Sequence, residues 1–147
     1  MTLGGTKGVV PAADVTLNSE ELKAQKKTLR AKIKIARKKL TQEVNHWDKQ
    51  LLKYEKKSKE GRLTNSARSL IQSSSEVSQE TMLQQLAVVT GALEELVFMC
   101  GNLRCTESSL LEEWLDELLR EIDDQKDVVN NAIEELSDRS EELLIQK

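Results

Sequence analysis

The chain is poor in aromatic side chains and in residues that interrupt helices. Aromatic residues make up 3% of its 147 residues, and there is one proline. A compact core of this size normally uses more large rings, because rings bury the most area per residue. Charged residues make up 32%, and charge interspersed with periodic Leu is typical of long helices. The composition predicts an all-α protein of elongated amphipathic helices, packed as a coiled coil or helical bundle that includes partner chains.

Residues that commonly carry catalysis or bind metals are scarce. His46 is the single histidine, and the two cysteines are Cys100 and Cys105. The cysteines lie five residues apart near a predicted helix end, which is poor geometry for a disulfide, and no histidine completes a metal set with them. The sequence has no glycine-rich phosphate loop. We expect no catalytic residue, no metal site, no cofactor and no small-molecule substrate, and therefore no enzyme.

Long apolar runs are also missing. No stretch reaches the roughly 20 apolar residues that span a bilayer, and the first 17 residues do not resemble a signal peptide. Two cysteines without a disulfide pattern favour a reducing compartment. The sequence predicts a soluble intracellular protein, cytoplasmic unless other evidence places it in the nucleus.

Apolar periodicity divides the chain into five segments. Glycines and the proline interrupt the first, and Gly61 provides a C-terminal cap for the second. The segments are a flexible lead-in over 1–17, a long basic coiled-coil helix over 18–61, a polar Ser-rich break or weak helix over 62–81, an apolar helix over 82–104, and an acidic amphipathic helix over 106–147. The last two helices are expected to form a local hairpin around a turn near 101–106.

The apolar stripes are interpreted as a partner interface. The first helix would be roughly 60 Å long and could not fold back on itself, so its stripe requires another helix. The stripe follows heptad spacing with one extra residue between Leu40 and Val44, while Gln125 and Arg139 are polar members of the last stripe that would set register or partner number. We expect the isolated chain to be partly unfolded or to self-associate. The predicted interface is Leu29, Ile33, Leu40, Val44, Trp47, Leu51, Tyr54, Leu86, Leu93, Leu96, Trp114, Leu118, Ile122, Val129, Leu136 and Leu143.

Charge is divided unevenly along the chain. Residues 1–60 hold 15 Lys and Arg against 7 Asp and Glu, whereas residues 61–147 hold 7 against 18. The halves could attract each other in a hairpin, or each could meet an oppositely charged partner. A predicted electrostatic patch on the first helix contains Lys26, Lys27, Arg30, Lys34, Arg37 and Lys38. A solvated or intrachain-paired face is favoured for it, then a partner helix; an anionic membrane surface is less favoured, and nucleic acid least, because no aromatic side chains are interleaved for base stacking.

One stretch of the first helix resembles a known family. Trp47-Asp48, Leu51-Leu52 and Tyr54, followed by a polar break and a second helical block, resemble the Dsn-type subunit of the four-protein Mis/MIND kinetochore complex. The resemblance implies a rod shared with sister subunits and a nuclear, centromeric scaffold in chromosome segregation and cell division. With the stripes above, it predicts a non-enzymatic structural subunit of a hetero-oligomeric helical complex.

The order of charged segments offers an alternative. A basic first helix, a Lys-rich stretch ending at Gly61, Ala67-Arg68, and an acidic final helix are similar in order to the membrane-remodelling ESCRT-III family. That resemblance implies a protein that polymerises on a membrane surface. The chain departs from it because the family's second helix is basic, whereas 69–103 is polar and then apolar.

Overall fold

A computed structural model of the chain describes residues 19–102 and 108–145. They form three helices, α1 (Ser19–Lys59), α2 (Asn65–Asn102) and α3 (Ser108–Ile145). The predicted all-α class of long helices is confirmed. The lead-in over 1–17 lies outside the described residues, and so does most of the predicted turn near 101–106, whose first two residues belong to α2.

Both ends of α1 follow from local chemistry. Glu20 and Glu21 lie in its first turn, and lysines lie in its last turn, so the charges complement the helix dipole. Gly61 ends the helix at a φ of 71°. Its N–H bonds to the carbonyl of Ser58 over 3.0 Å, and the N–H of Arg62 bonds to the carbonyl of Lys57 over 2.8 Å. This pairing is a Schellman motif, and it confirms Gly61 as the cap.

The segment over 62–81 is predicted as a break or a weak helix; residues 62–64 lie between the helices, and 65–81 are continuous with the rest of α2. Thr64 caps its start, because the Thr64 hydroxyl accepts the N–H of Ala67 over 3.1 Å. Its inward face carries Ser78, which is buried, as well as Ile71. A helix of this kind is hard to predict from apolar periodicity, because some of its buried positions are polar.

The helices form an antiparallel three-helix bundle with α2 at its centre. Ser78 and Ser75 of α2 bond to α1 at residues 43 and 47, so the numbering of the two helices runs in opposite directions. Arg30 and Arg37 of α1 bond to α3 at residues 121 and 125, and these two helices run parallel. Each outer helix packs on α2. The expectation that α1 needs a helix from another chain is therefore corrected: α2 and α3 cover its stripe, because α2 folds back beside it.

Helix α2 corrects the expectation that no stretch of the chain is apolar enough to span a bilayer. Within the described residues, Asn65–Met99 is long and apolar enough to cross a bilayer, with a hydropathy of 1.3 in its most apolar window. Core helices of soluble proteins meet the same test. The finding assigns no location to the chain.

Candidate partner-binding surface

The residues predicted as a partner interface lie in the bundle core. All of them are buried except Val44 and Trp114, which are partly buried and pack against the core. The apolar stripes that were predicted to bind a partner are thus covered by helices of the same chain. The buried members are Leu29, Ile33, Leu40, Trp47, Leu51, Tyr54, Leu86, Leu93, Leu96, Leu118, Ile122, Val129, Leu136 and Leu143. A surface for a partner has to be found elsewhere on the bundle.

A polar layer crosses the bundle at Trp47. The indole Nε1 donates to the Ser75 hydroxyl over 3.2 Å, and the hydroxyl oxygens of Ser75 and Ser140 are 2.8 Å apart. The Ser140 hydroxyl donates to the carbonyl of Leu136 over 2.9 Å. The layer joins all three helices, and it satisfies polar atoms that would be costly to bury alone.

The polar seam residue Arg139 binds α1. Its Nη1 donates to Asp48 Oδ1 over 2.7 Å, and its Nε and Nη2 donate to the two Glu55 oxygens over 3.1 and 2.9 Å. The hydrogen bonds that Arg139 donates to Glu55, and then that to Asp48, raise the pKa of Arg139 above its ordinary value. This fork of bonds is the bidentate geometry that an arginine favours. The pairing partner is α1 of the same chain.

Part of the predicted electrostatic patch is also paired within the chain. Arg30 and Arg37 each contact Glu121 at 3.1 Å, and Arg37 Nε donates to Gln125 over 2.8 Å. Lys26 Nζ lies 4.3 Å from the centre of the Trp114 ring, a cation–π contact. The other members, Lys27, Lys34 and Lys38, are exposed.

An apolar opening lies between α1 and α3, between the two ion-pair clusters. It has a volume of about 330 Å³, and Leu40, Val44, Met82 and Val128 are among its lining residues. Val44, the residue at the heptad irregularity, is half-buried, whereas its neighbours in the stripe are buried. The irregular step thus coincides with the place where the α1–α3 seam is open.

A second depression, which we call the outer groove, runs between α1 and α2 on the side away from α3. A stretch of about 420 Å³ is lined by Glu43 and His46 of α1 and by Leu70 and Val77 of α2. The side chains of Leu70 and Val77 are 59% and 64% exposed. Both residues belong to the segment predicted as a break or a weak helix, for which no binding role was expected. Their seven-residue spacing was the available signal.

The two walls of the outer groove differ in chemistry. Lys32, Lys39 and Lys53 lie at seven-residue intervals from His46 on α1, and all four side chains are exposed. On α2, Leu70 and Val77 lie at seven-residue intervals with Gln84, Gly91 and Phe98, and Phe98 is 71% exposed. The α1 side therefore carries mostly cations, whereas the α2 side combines Leu70 and Val77 with serines that line the same stretch.

No metal-binding arrangement occurs within residues 19–102 and 108–145, where no three His, Cys, Asp or Glu side chains come together as potential ligands. The acidic residues of α3 in this part of the chain are mostly exposed along its outer side.

Comparison with known proteins gives no relative: no protein-family model, no curated protein and no solved structure matches this chain.

Proposed function

We propose that this chain is a non-enzymatic structural subunit of a hetero-oligomeric complex and that it docks a helix of a partner protein in the outer groove. The observation that carries the proposal is the pair Leu70 and Val77, which are more than half exposed beside each other in a groove between two helices. The bundle core is filled without them. A function in binding accounts for their exposure.

The shape of the outer groove suits a helix. Amphipathic helices bind by laying an apolar stripe into a groove, with anchors about one and two turns apart. Leu70 and Val77 are two turns apart on α2, and the groove that they line lies between residues 43–46 of α1 and 70–78 of α2. Complete burial of a Leu or Val side chain contributes about 1.5–3 kcal/mol. Two such side chains, with the contacts around them, are a reasonable centre for an interface.

A kinetochore scaffold is one instance of such a complex. The stretch that resembles the Dsn-type subunit, Trp47 to Tyr54, lies on α1, and its apolar members are buried except Leu52, which is exposed. The proposal of a centromeric role rests on that resemblance. Imaging of the endogenously tagged protein through mitosis checks it, and a uniform distribution without centromere foci would remove it.

The docking proposal is tested by quantitative co-purification of the endogenously tagged chain. Leu70→Glu and Val77→Glu place charge in the outer groove without touching the core, and we expect the bound partner to be lost. Val128→Glu is the matched control, because Val128 is 62% exposed but lies on α3 beside the other opening. If only Val128→Glu loses the bound partner, the docking site is the α1–α3 opening. If no variant loses the partner, the docking proposal is wrong.

A second candidate, attachment to an anionic membrane surface, is favoured by Lys27, Lys34 and Lys38, which are exposed on one side of α1. Flotation with phosphatidylserine vesicles separates the two candidates. Membrane attachment predicts binding that falls with salt and with reversal of these three charges, because exposed charges are screened. Absence of flotation at low salt would exclude this candidate.

A further inference from the structure

We propose that the docked helix carries acidic side chains along one edge and passes closest to the bundle at Gly91. This inference rests on the docking proposed above, and it specifies the chemistry of the partner. It draws on two observations, the charge of the α1 wall and the open space above a glycine in α2.

The α1 wall presents cations at a helical repeat. Lys32, Lys39 and Lys53 lie at seven-residue intervals from His46, which lines the groove, and Lys53 Nζ lies 5.9 Å from the centre of the Tyr54 ring. None of the three lysines has an ion pair among the described residues. A helix that lay on Leu70 and Val77 would bring its edge beside these lysines. Acidic residues on that edge would pair with them, whereas basic residues would be repelled.

The acidic side chains near the outer groove leave this charge largely intact. Glu43 lines the groove, and it accepts a hydrogen bond from Ser78 over 2.8 Å. Glu80 and Glu95 are exposed on α2, where Gln84 donates a hydrogen bond to Glu80. On the α1 side, three lysines against Glu43 leave an excess of positive charge.

Gly91 has no role in packing within the described chain. A Cβ built there meets nothing within 4 Å, so neither α1 nor α3 approaches it closely. Glycine inside a helix is nevertheless less favourable than alanine. Gly91 lies three heptads from Leu70 and two from Val77 on α2, beyond the stretch of the outer groove that these two residues line. A glycine on a helix surface allows another backbone to come close, and the open space is where a partner helix would do so.

The antiparallel register aligns these features. Trp47 bonds to Ser75, and Glu43 bonds to Ser78. Continuing this register places Lys53 beside Leu70, His46 beside Val77 and Lys32 beside Gly91. The acidic edge of the partner would thus follow the groove from its apolar end to the glycine.

The test uses two synthetic amphipathic peptides of about four heptads. They share one leucine stripe, and their edge residues are Glu in one and Lys in the other. Fluorescence anisotropy with the full chain measures both affinities. We expect the Glu-edged peptide to bind roughly tenfold more tightly at low salt, and the difference to shrink at high salt.

Charge-reversal variants locate the effect. Lys32→Glu, Lys39→Glu and Lys53→Glu together should reverse the preference. The matched control makes the same change in net charge outside the groove, with Lys27→Glu, Lys34→Glu and Lys38→Glu, and should keep the preference for the Glu-edged peptide. Equal binding of the two peptides to the wild-type chain, or reversal by the control set, would overturn the acidic edge and leave the docking proposal standing. Failure of both peptides to bind would overturn docking in the groove itself.

Gly91→Ala tests the close approach. We expect it to weaken binding of the Glu-edged peptide several-fold without lowering the melting temperature of the free chain. Unchanged affinity would show that the partner does not cross at Gly91.

Discussion

The indole N–H of Trp47 on α1 bonds to the hydroxyl of Ser75 on α2 over 3.2 Å, in the middle of the bundle. A large ring and a small polar side chain thus occupy facing positions. The serine leaves room for the ring and satisfies its one donor. This pair explains why a serine-rich stretch forms part of a core helix.

The bond between these residues should appear as a coupling in a double-mutant cycle. Trp47→Phe and Ser75→Ala each remove it, and we expect a coupling free energy of about 0.5–1.5 kcal/mol in urea unfolding. The control pairs Ser75→Ala with Trp114→Phe, because Trp114 lies 26 residues from Ser140 along α3 and contacts Lys26 instead. Additive effects in the Trp47 cycle would contradict the bond.

Arg139 should stabilise the bundle more than an ordinary surface arginine. Arg139→Met removes three hydrogen bonds to Asp48 and Glu55, and we expect a loss of about 1–2 kcal/mol in the free energy of unfolding. Arg120→Met on the exposed side of α3 is the control and should change little. Equal effects of the two substitutions would show that the bonds add nothing.

The pH dependence of this contribution follows from the raised pKa of Arg139, caused chiefly by Glu55 and then by Asp48. A cation whose pKa is raised on folding contributes stability that is fully present below its unfolded-state pKa and is lost as pH rises past the folded-state value. That window lies in strong alkali. The stability difference between wild type and Arg139→Met should therefore not fall between neutral pH and pH of about 10, well below the ordinary arginine pKa. Urea unfolding at several pH values checks this.

Glu121 should contribute less than the Arg139 cluster. It pairs with Arg30 and Arg37, whose side chains are 40% and 43% exposed, so solvent screens both pairs. We expect Glu121→Gln to cost less than about 1 kcal/mol at low salt and nothing at high salt. Asp123→Asn removes the same charge from an exposed position. If Glu121→Gln lowers the free energy of unfolding equally at low and high salt, solvent does not screen these pairs.

The two described glycines outside the α2 terminus should respond to alanine in opposite directions. Gly91→Ala should stabilise the free chain by about 0.5–1 kcal/mol, because the space is open and alanine favours a helix. Gly61→Ala should destabilise it by roughly 1 kcal/mol, because Gly61 has a positive φ that alanine rarely adopts. Thermal unfolding of both variants measures this. A loss of stability in Gly91→Ala would reveal packing that the open space does not show.

Periodicity predicted much of the bundle. Spacing marked the buried stripe from Leu29 to Tyr54, and Gly61 marked the end of α1. The pattern did not identify which helix covers each stripe, because a heptad seam fits a helix of any chain equally well. The sequence favoured partner helices for the seams and kept pairing between the two halves of the chain as an alternative, and the structure closes the seams within one chain.

The outer groove was harder to predict for a different reason. Leu70 and Val77 are visible in the sequence, but the lysines opposite them lie on another helix. Their juxtaposition depends on the antiparallel register that Trp47 and Glu43 establish with α2. The helix that carries Leu70 was also difficult to predict, because Ser75 and Ser78 face the core although serines are typical of a polar linker.

The connectivity of the bundle has a consequence for the order in which it assembles. Residues 60–64 alone join α1 to α2, so that hairpin closes a short loop, whereas Arg30–Glu121 and Arg139–Asp48 each join residues 91 apart. Closing a longer loop costs more entropy before any contact forms. The α1–α3 bonds should therefore form late, after the rate-limiting step. Weakening them should leave the folding rate nearly unchanged and accelerate unfolding, so the stability that these ion pairs add lengthens the time for which the bundle stays folded.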